Sequence, residues 1–167
     1  MKTRTSFLTN LMFVSLLIYS AGIQAQTSAS GLDQIKLMQQ MLGTWQGDVG
    51  KDTVEVREHQ QYGKSFTSNV SLVVKGTKTP FYLSSYCYDS KEGNFKGFIL
   101  YANGDYLTFI AKWTTEKNYH IDVVKNFKPE SLVRKVDYLV ESPSKFTRTV
   151  FNPAGKKTGE FKFNKTK

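Results

Sequence analysis

Asn94-Phe95-Lys96-Gly97-Phe98-Ile99-Leu100-Tyr101-Ala102-Asn103-Gly104-Asp105-Tyr106-Leu107-Thr108-Phe109-Ile110-Ala111-Lys112-Trp113 is the stretch that decides the fold. Asn103-Gly104 sits between two aromatic-rich runs and calls for a tight type I′ hairpin, because both residues accept positive φ. After it, Leu107, Phe109, Ala111 and Trp113 fall on one face and Tyr106, Thr108, Ile110 and Lys112 on the other. That period of two is the mark of a strand.

The same pattern extends outward in both directions. Ten segments have strand character, at about 44–49, 53–61, 64–75, 80–89, 94–102, 105–114, 118–125, 131–141, 145–152 and 157–165. Lys91-Glu92-Gly93-Asn94 and Asn152-Pro153-Ala154-Gly155 are longer hairpin turns, and Gly76 to Pro80 closes another. In the third segment Phe66, Val70, Leu72 and Val74 share a face with Ser68; in the fourth, Tyr82, Tyr86 and Tyr88 share one, opposite Phe81, Leu83, Ser85 and Cys87. Short connections make neighbours in sequence neighbours in space. An open sheet of ten strands is hard to keep flat, and closure removes its edges. The expected fold is all-β, an antiparallel up-and-down barrel of about ten strands. A two-sheet sandwich is the alternative, without a long crossover connection to support it.

Before the strands, Leu32, Ile35, Leu37, Met38, Met41 and Leu42 recur at helical spacing. They predict a short helix over 32–42, capped by Ser30 and ended by Gly43, serving as a lid or plug on the barrel. The barrel domain is expected over 31–167, after a flexible lead-in at 26–30.

Gly43-Thr44-Trp45, with a helix before it and a strand after it, resembles the start of the lipocalin-like (calycin) superfamily, whose first strand opens with Gly-x-Trp. The resemblance implies that Trp45 closes one end of the barrel and that an arginine from a late strand, best matched by Arg148, packs on it. Leu42, Gly43, Trp45 and Gly47, then Tyr88-Asp89, then Asn152-Pro153-Ala154-Gly155 leading to Glu160-Phe161-Lys162-Phe163, are similar to an uncharacterised bacterial family of small lipocalin-like domains. That likeness spans nearly the whole domain and implies a barrel rather than an activity. Gly-Thr-Trp-x-Gly also opens the nitrobindin-like haem barrels, where a late-strand histidine ligates the iron. Here the only histidines are His59 and His120, neither in the last three strands, so no haem or other cofactor is expected.

The beginning of the chain predicts export. Lys2 and Arg4 precede an apolar stretch from Phe7 to Ala21, and small Ala25 follows at a plausible cleavage point. A signal peptide over 1–25 is expected, with no membrane span after its removal, since the stretch is shorter than the roughly 20 residues a spanning helix needs. The formal charge of +9 falls to about +7 without those residues. The lysines are scattered, and no concentrated basic patch or motif argues for nucleic acid. Cys87 stands alone, so no intrachain disulfide staples the domain, and burial as a small hydrophobe is its expected fate.

Chemistry-bearing residues are few. No His-x-x-x-His or Cys-x-x-Cys spacing suggests a metal, and both histidines are expected at the surface or hydrogen-bonded. His120 and Asp122 share a strand face, and Glu58, in phase with Val54 and Val56, is expected to point into the barrel. These three are the catalytic candidates for an isomerase- or hydrolase-type barrel enzyme, although no nucleophile–base pair accompanies them. Tyr82, Tyr86, Phe98, Tyr101, Phe109 and Trp113 lie on adjacent strands and are the candidate wall of a ligand cavity. The expected function is an exported protein binding a small apolar or amphipathic molecule in the barrel. The other readings are the barrel enzyme and a protein-interaction scaffold.

Overall fold

The computed structural model describes residues 31–167. The expected signal peptide, lead-in and Ser30 cap lie outside them. One short helix, α1 (Gln34–Gln39), is followed by ten strands: β1 (Gly43–Gly50), β2 (Thr53–Tyr62), β3 (Ser65–Val74), β4 (Thr77–Asp89), β5 (Asn94–Tyr101), β6 (Tyr106–Trp113), β7 (Asn118–Lys125), β8 (Lys128–Ser142), β9 (Lys145–Phe151) and β10 (Lys157–Lys165). Each strand pairs antiparallel with the next, and β1 pairs with β10 to close the barrel. Closure is short in register, Trp45 opposite Lys165 and Gln46 opposite Asn164. It is extended by the Thr44 N–H donating to Lys167 O at 2.9 Å and the Thr166 N–H donating to Thr44 O at 2.7 Å. The expected all-β barrel is the fold observed.

The hairpins form where glycine and asparagine cluster, but their types differ from expectation. At Asn103-Gly104 only Gly104 has positive φ (+91°), so the turn is not type I′. The Gly104 N–H donates to Tyr101 O and the Tyr101 N–H to Asp105 O, a three-residue loop in which glycine supplies the single left-handed position. The Asn103 side chain is spent instead on the Asp105 backbone and carboxylate. The pairs with two positive φ values are Lys75-Gly76, which joins β3 and β4 in register, and Asn126-Phe127, which sets Lys125 opposite Lys128 beside a bulge in the β7–β8 pairing. β4 therefore starts at Thr77, earlier than the pattern suggested, and carries Pro80 at a register shift opposite Ser71.

α1 is shorter than its apolar pattern. Asp33 caps it, its carboxylate accepting the Lys36 N–H at 3.0 Å, and tight bonds from Met41 to Met38 and Leu42 to Gln39 end it before Gly43, which opens β1. Gln34 ties it to the wall: the Trp113 N–H donates to its Oε1 at 2.8 Å, and its Nε2 donates to Trp113 O at 3.0 Å. Met38 and Met41 are thereby buried across one end of the barrel. The expected plug is formed.

Aromatic side chains fill that end. Phe146 packs on Trp45 at 4.9 Å and stacks on Phe163 at 4.7 Å, and Trp113 lies 5.0 Å from Tyr119. The Trp45 indole N–H donates to Met41 O at 2.8 Å, so the tryptophan joins plug and wall. Gly97 keeps the middle open. A Cβ there would stand 2.7 Å from the Phe109 ring and 2.5 Å from Tyr86 Cβ, so only glycine lets both aromatics reach inward.

Candidate functional site

Between the plugged end and the opposite mouth the barrel holds a cavity of about 300 Å³. That space matches on the order of ten water-sized groups. Its floor is apolar, from Met38, Met41, Ile99, Phe109 and Ile121, with Tyr86 and Tyr119 among them. Phe81, Tyr82 and Tyr101 pack edge-on against one another on one side of it, their ring centroids 5.2–5.9 Å apart.

What distinguishes the cavity is charge. β2 alternates valines with charged residues, and its inward set is Glu55, Arg57 and His59. Glu55 accepts from Arg148 Nη1 at 2.7 Å and Nη2 at 2.9 Å, and from Arg57 Nε. Arg57 also donates to the hydroxyls of Tyr138, at 2.7 Å, and Tyr82. Arg134 reaches across to the Tyr101 hydroxyl at 2.8 Å. Phe161 and Phe163 lie under the Arg148 guanidinium, each 5.0 Å away. Three guanidiniums and one carboxylate line the cavity, leaving two positive charges without a side-chain counter-ion there.

This network sets the protonation states. Burial pushes the Glu55 carboxyl up, but the charges of Arg57 and Arg148 and their hydrogen bonds outweigh it and hold Glu55 at about 2. Burial pushes the Tyr82 hydroxyl up to about 12, against the opposing pull of Arg57, so it is a neutral donor and acceptor. Burial, reinforced by the positive charge of Arg57, lowers His59 to about 3 and keeps the imidazole neutral.

The sequence-derived wall is partly assembled. Tyr82, Tyr86, Tyr101 and Phe109 line the cavity. Phe98 does not: it is exposed on the outer wall, packed edge-on against Phe127 at 5.2 Å. Inward residues of β5 are Phe95, Gly97, Ile99 and Tyr101, and Phe98 has the opposite parity. Trp113 faces inward but is buried in the aromatic layer at the plugged end, outside the cavity lining.

The catalytic candidates lie on the outside. Glu58 pairs with Lys78 at 2.9 Å in an exposed ion pair, since β2 turns its Val54-Val56-Glu58 face outward. His120 meets Asp137 at 2.5 Å and Asp122 at 3.2 Å on the outer face of β7 and β8, while Tyr119, Ile121 and Val123 face in. None of the three borders the cavity. His59 corrects a further expectation, being buried with neither ring nitrogen hydrogen-bonded. Cys87 is exposed, because its neighbours Tyr86 and Tyr88 take the inward phase.

Trp45 is fully buried at the plugged end, as the Gly-x-Trp resemblance implied, but its cation differs. Lys165 Nζ lies 5.1 Å from its ring, on the strand position directly opposite. Arg148 is instead committed to Glu55. Among the described residues no group of three or more His, Cys, Asp or Glu side chains is placed to hold a metal ion, and no helix is long and apolar enough to cross a membrane. The closed ten-strand barrel is consistent with a lipocalin-like fold. No family model and no curated protein matches the chain, so the finer likeness to the small bacterial family rests on its few motif residues alone.

Proposed function

We propose that this protein is an exported lipocalin-like carrier that holds a small amphipathic molecule with an acidic head group. The carrying observation is the excess of guanidinium over carboxylate around a cavity whose floor is apolar. An ionised group entering such a site needs a partner of opposite charge. Each of the three Arg57 nitrogens already donates, to Glu55, Tyr138 and Tyr82. Arg134 has Tyr101 as its hydrogen-bond partner, and Arg148 keeps Nε–H unpartnered, so these two are the ones that receive the head group. The apolar body then lies against Met38 and Met41. Export is supported by Lys2, Arg4, the apolar stretch to Ala21 and the small Ala25.

Displacement of a fluorescent apolar probe by octanoate, octan-1-ol and octylamine tests the reading. Octanoate is expected to compete best and octylamine worst, with the octanoate advantage reduced in Arg134→Leu. Equal competition by all three, or none by any, would overturn it.

A further inference from the structure

One wall of the cavity carries a polar row that the arginine network does not use. His59 on β2, Ser68 on β3 and Ser84 on β4 stand side by side in register, and all three border the cavity. His59 is 8% exposed and Ser68 3%. Neither His59 ring nitrogen has a hydrogen-bond partner, nor does the Ser68 hydroxyl. Buried polar groups are paired in the great majority of cases, and leaving one unpaired costs its full desolvation. A neutral imidazole offers one donor and one acceptor, and a serine hydroxyl offers both. Charged ligand groups do not suit this wall: Arg57, the inward neighbour of His59, already compensates Glu55, and the imidazole itself carries no charge.

We propose that His59 and Ser68 form a second polar subsite, which selects ligands bearing a hydroxyl or carboxamide at the end remote from the acidic head. The inference rests on the carrier reading above and names the other end of the same ligand. Glu55, which anchors the arginines, and His59 are four positions apart on β2, a separation of ~13 Å at about 3.3 Å per residue. Arg57 stands between them with its guanidinium turned to Glu55, Tyr82 and Tyr138, so the Glu55–Arg148 end of the network and the His59–Ser68 pair lie a short ligand's length apart along β2 and β3.

Calorimetric titration of the full-length protein with ω-hydroxy acids of six to ten carbons, each beside its plain acid, tests this. At the best-fitting length the hydroxy acid is expected to bind about tenfold tighter than the plain acid. In Ser68→Ala, and more strongly in His59→Leu, that ratio falls towards one. A ratio of one or less at every length in the unsubstituted protein would overturn the subsite while leaving the carrier reading intact. A preference that persists undiminished in soluble, folded Ser68→Ala and His59→Leu would also overturn it. Failure of every acid to bind would remove both.

Discussion

Glu55 on β2 and Arg148 on β9 form a two-pronged ion pair inside the barrel, Nη1 to Oε1 at 2.7 Å and Nη2 to Oε2 at 2.9 Å, between residues 93 apart in sequence. Arg57 shares the same carboxylate from the adjacent inward position of its own strand. Removing one partner of a buried pair leaves an uncompensated charge. Glu55→Gln strands two guanidiniums together, and is expected to lower stability by ~3–5 kcal/mol in urea unfolding. Arg148→Met leaves Glu55 with Arg57 still beside it and costs less. An equal or smaller loss for Glu55→Gln would contradict the shared-carboxylate geometry.

Acid should weaken the fold in two stages. His59 is held at about 3 against an ordinary 6.5, so the unfolded chain binds a proton first. Its stabilising neutrality is complete above 6.5 and is lost as pH falls from 6.5 towards 3. Glu55, held at about 2 against 4.5, contributes fully above 4.5 and loses that contribution as pH falls towards 2. Between pH 7 and pH 5 the histidine dominates, at about 2 kcal/mol. His59→Phe is expected to flatten the urea midpoint over that interval. The same pH slope in this variant as in the unsubstituted protein would count against a buried neutral His59.

Lys165, not Arg148, is the cation over Trp45. In a Trp113→Phe background, where Trp45 is the remaining indole, Lys165→Met should shift the tryptophan emission and Arg148→Met should leave it nearly unchanged. Trp45→Ala should cost ~3–5 kcal/mol, as deletion of a fully buried tryptophan does. The reverse emission pattern would restore the arrangement expected from the Gly-x-Trp resemblance.

Gln34 fixes the plug through paired hydrogen bonds to the Trp113 backbone. Gln34→Ala leaves a buried N–H and C=O unsatisfied, a cost of about 1–3 kcal/mol. Hydrogen exchange at the Trp113 amide should accelerate as the plug loosens. Unchanged exchange would mean the helix is held by Met38 and Met41 alone.

The outer-wall residues Glu58, His120 and Asp122 should be dispensable for ligand binding. Each lies in an exposed or half-exposed pair, and such pairs are worth about 0–1 kcal/mol. Alanine at each position should leave probe affinity within error. A large loss at any of them would reopen the enzyme reading.

The wall of the barrel was legible because period-two alternation and glycine-bearing turns are local signals. The interior of β2 was not, because Val54-Glu55-Val56-Arg57-Glu58-His59 reads naturally with its valines inside. Cross-strand register held the missing signal. In the hairpin, Tyr62 faces Ser65, which places Arg57 opposite Val70 and His59 opposite Ser68. Opposed residues share a face, so the apolar even positions of β3 carry the odd, charged positions of β2 inward with them. Mutual compensation by Glu55, Arg57 and Arg148 makes that tolerable, and compensation between strands so distant in sequence leaves no local pattern. Phe98 failed for a related reason: it differs in parity from Tyr101 on the same strand, so the two face opposite sides.

A crystal structure of the protein soaked with octanoate tests the central claim most directly. The expected result is density inside the barrel, with the carboxylate within hydrogen-bonding distance of Arg134 or Arg148 and the chain running towards Met38 and Met41. Density confined to the outer surface, or a cavity holding nothing but solvent at saturating octanoate, would contradict it.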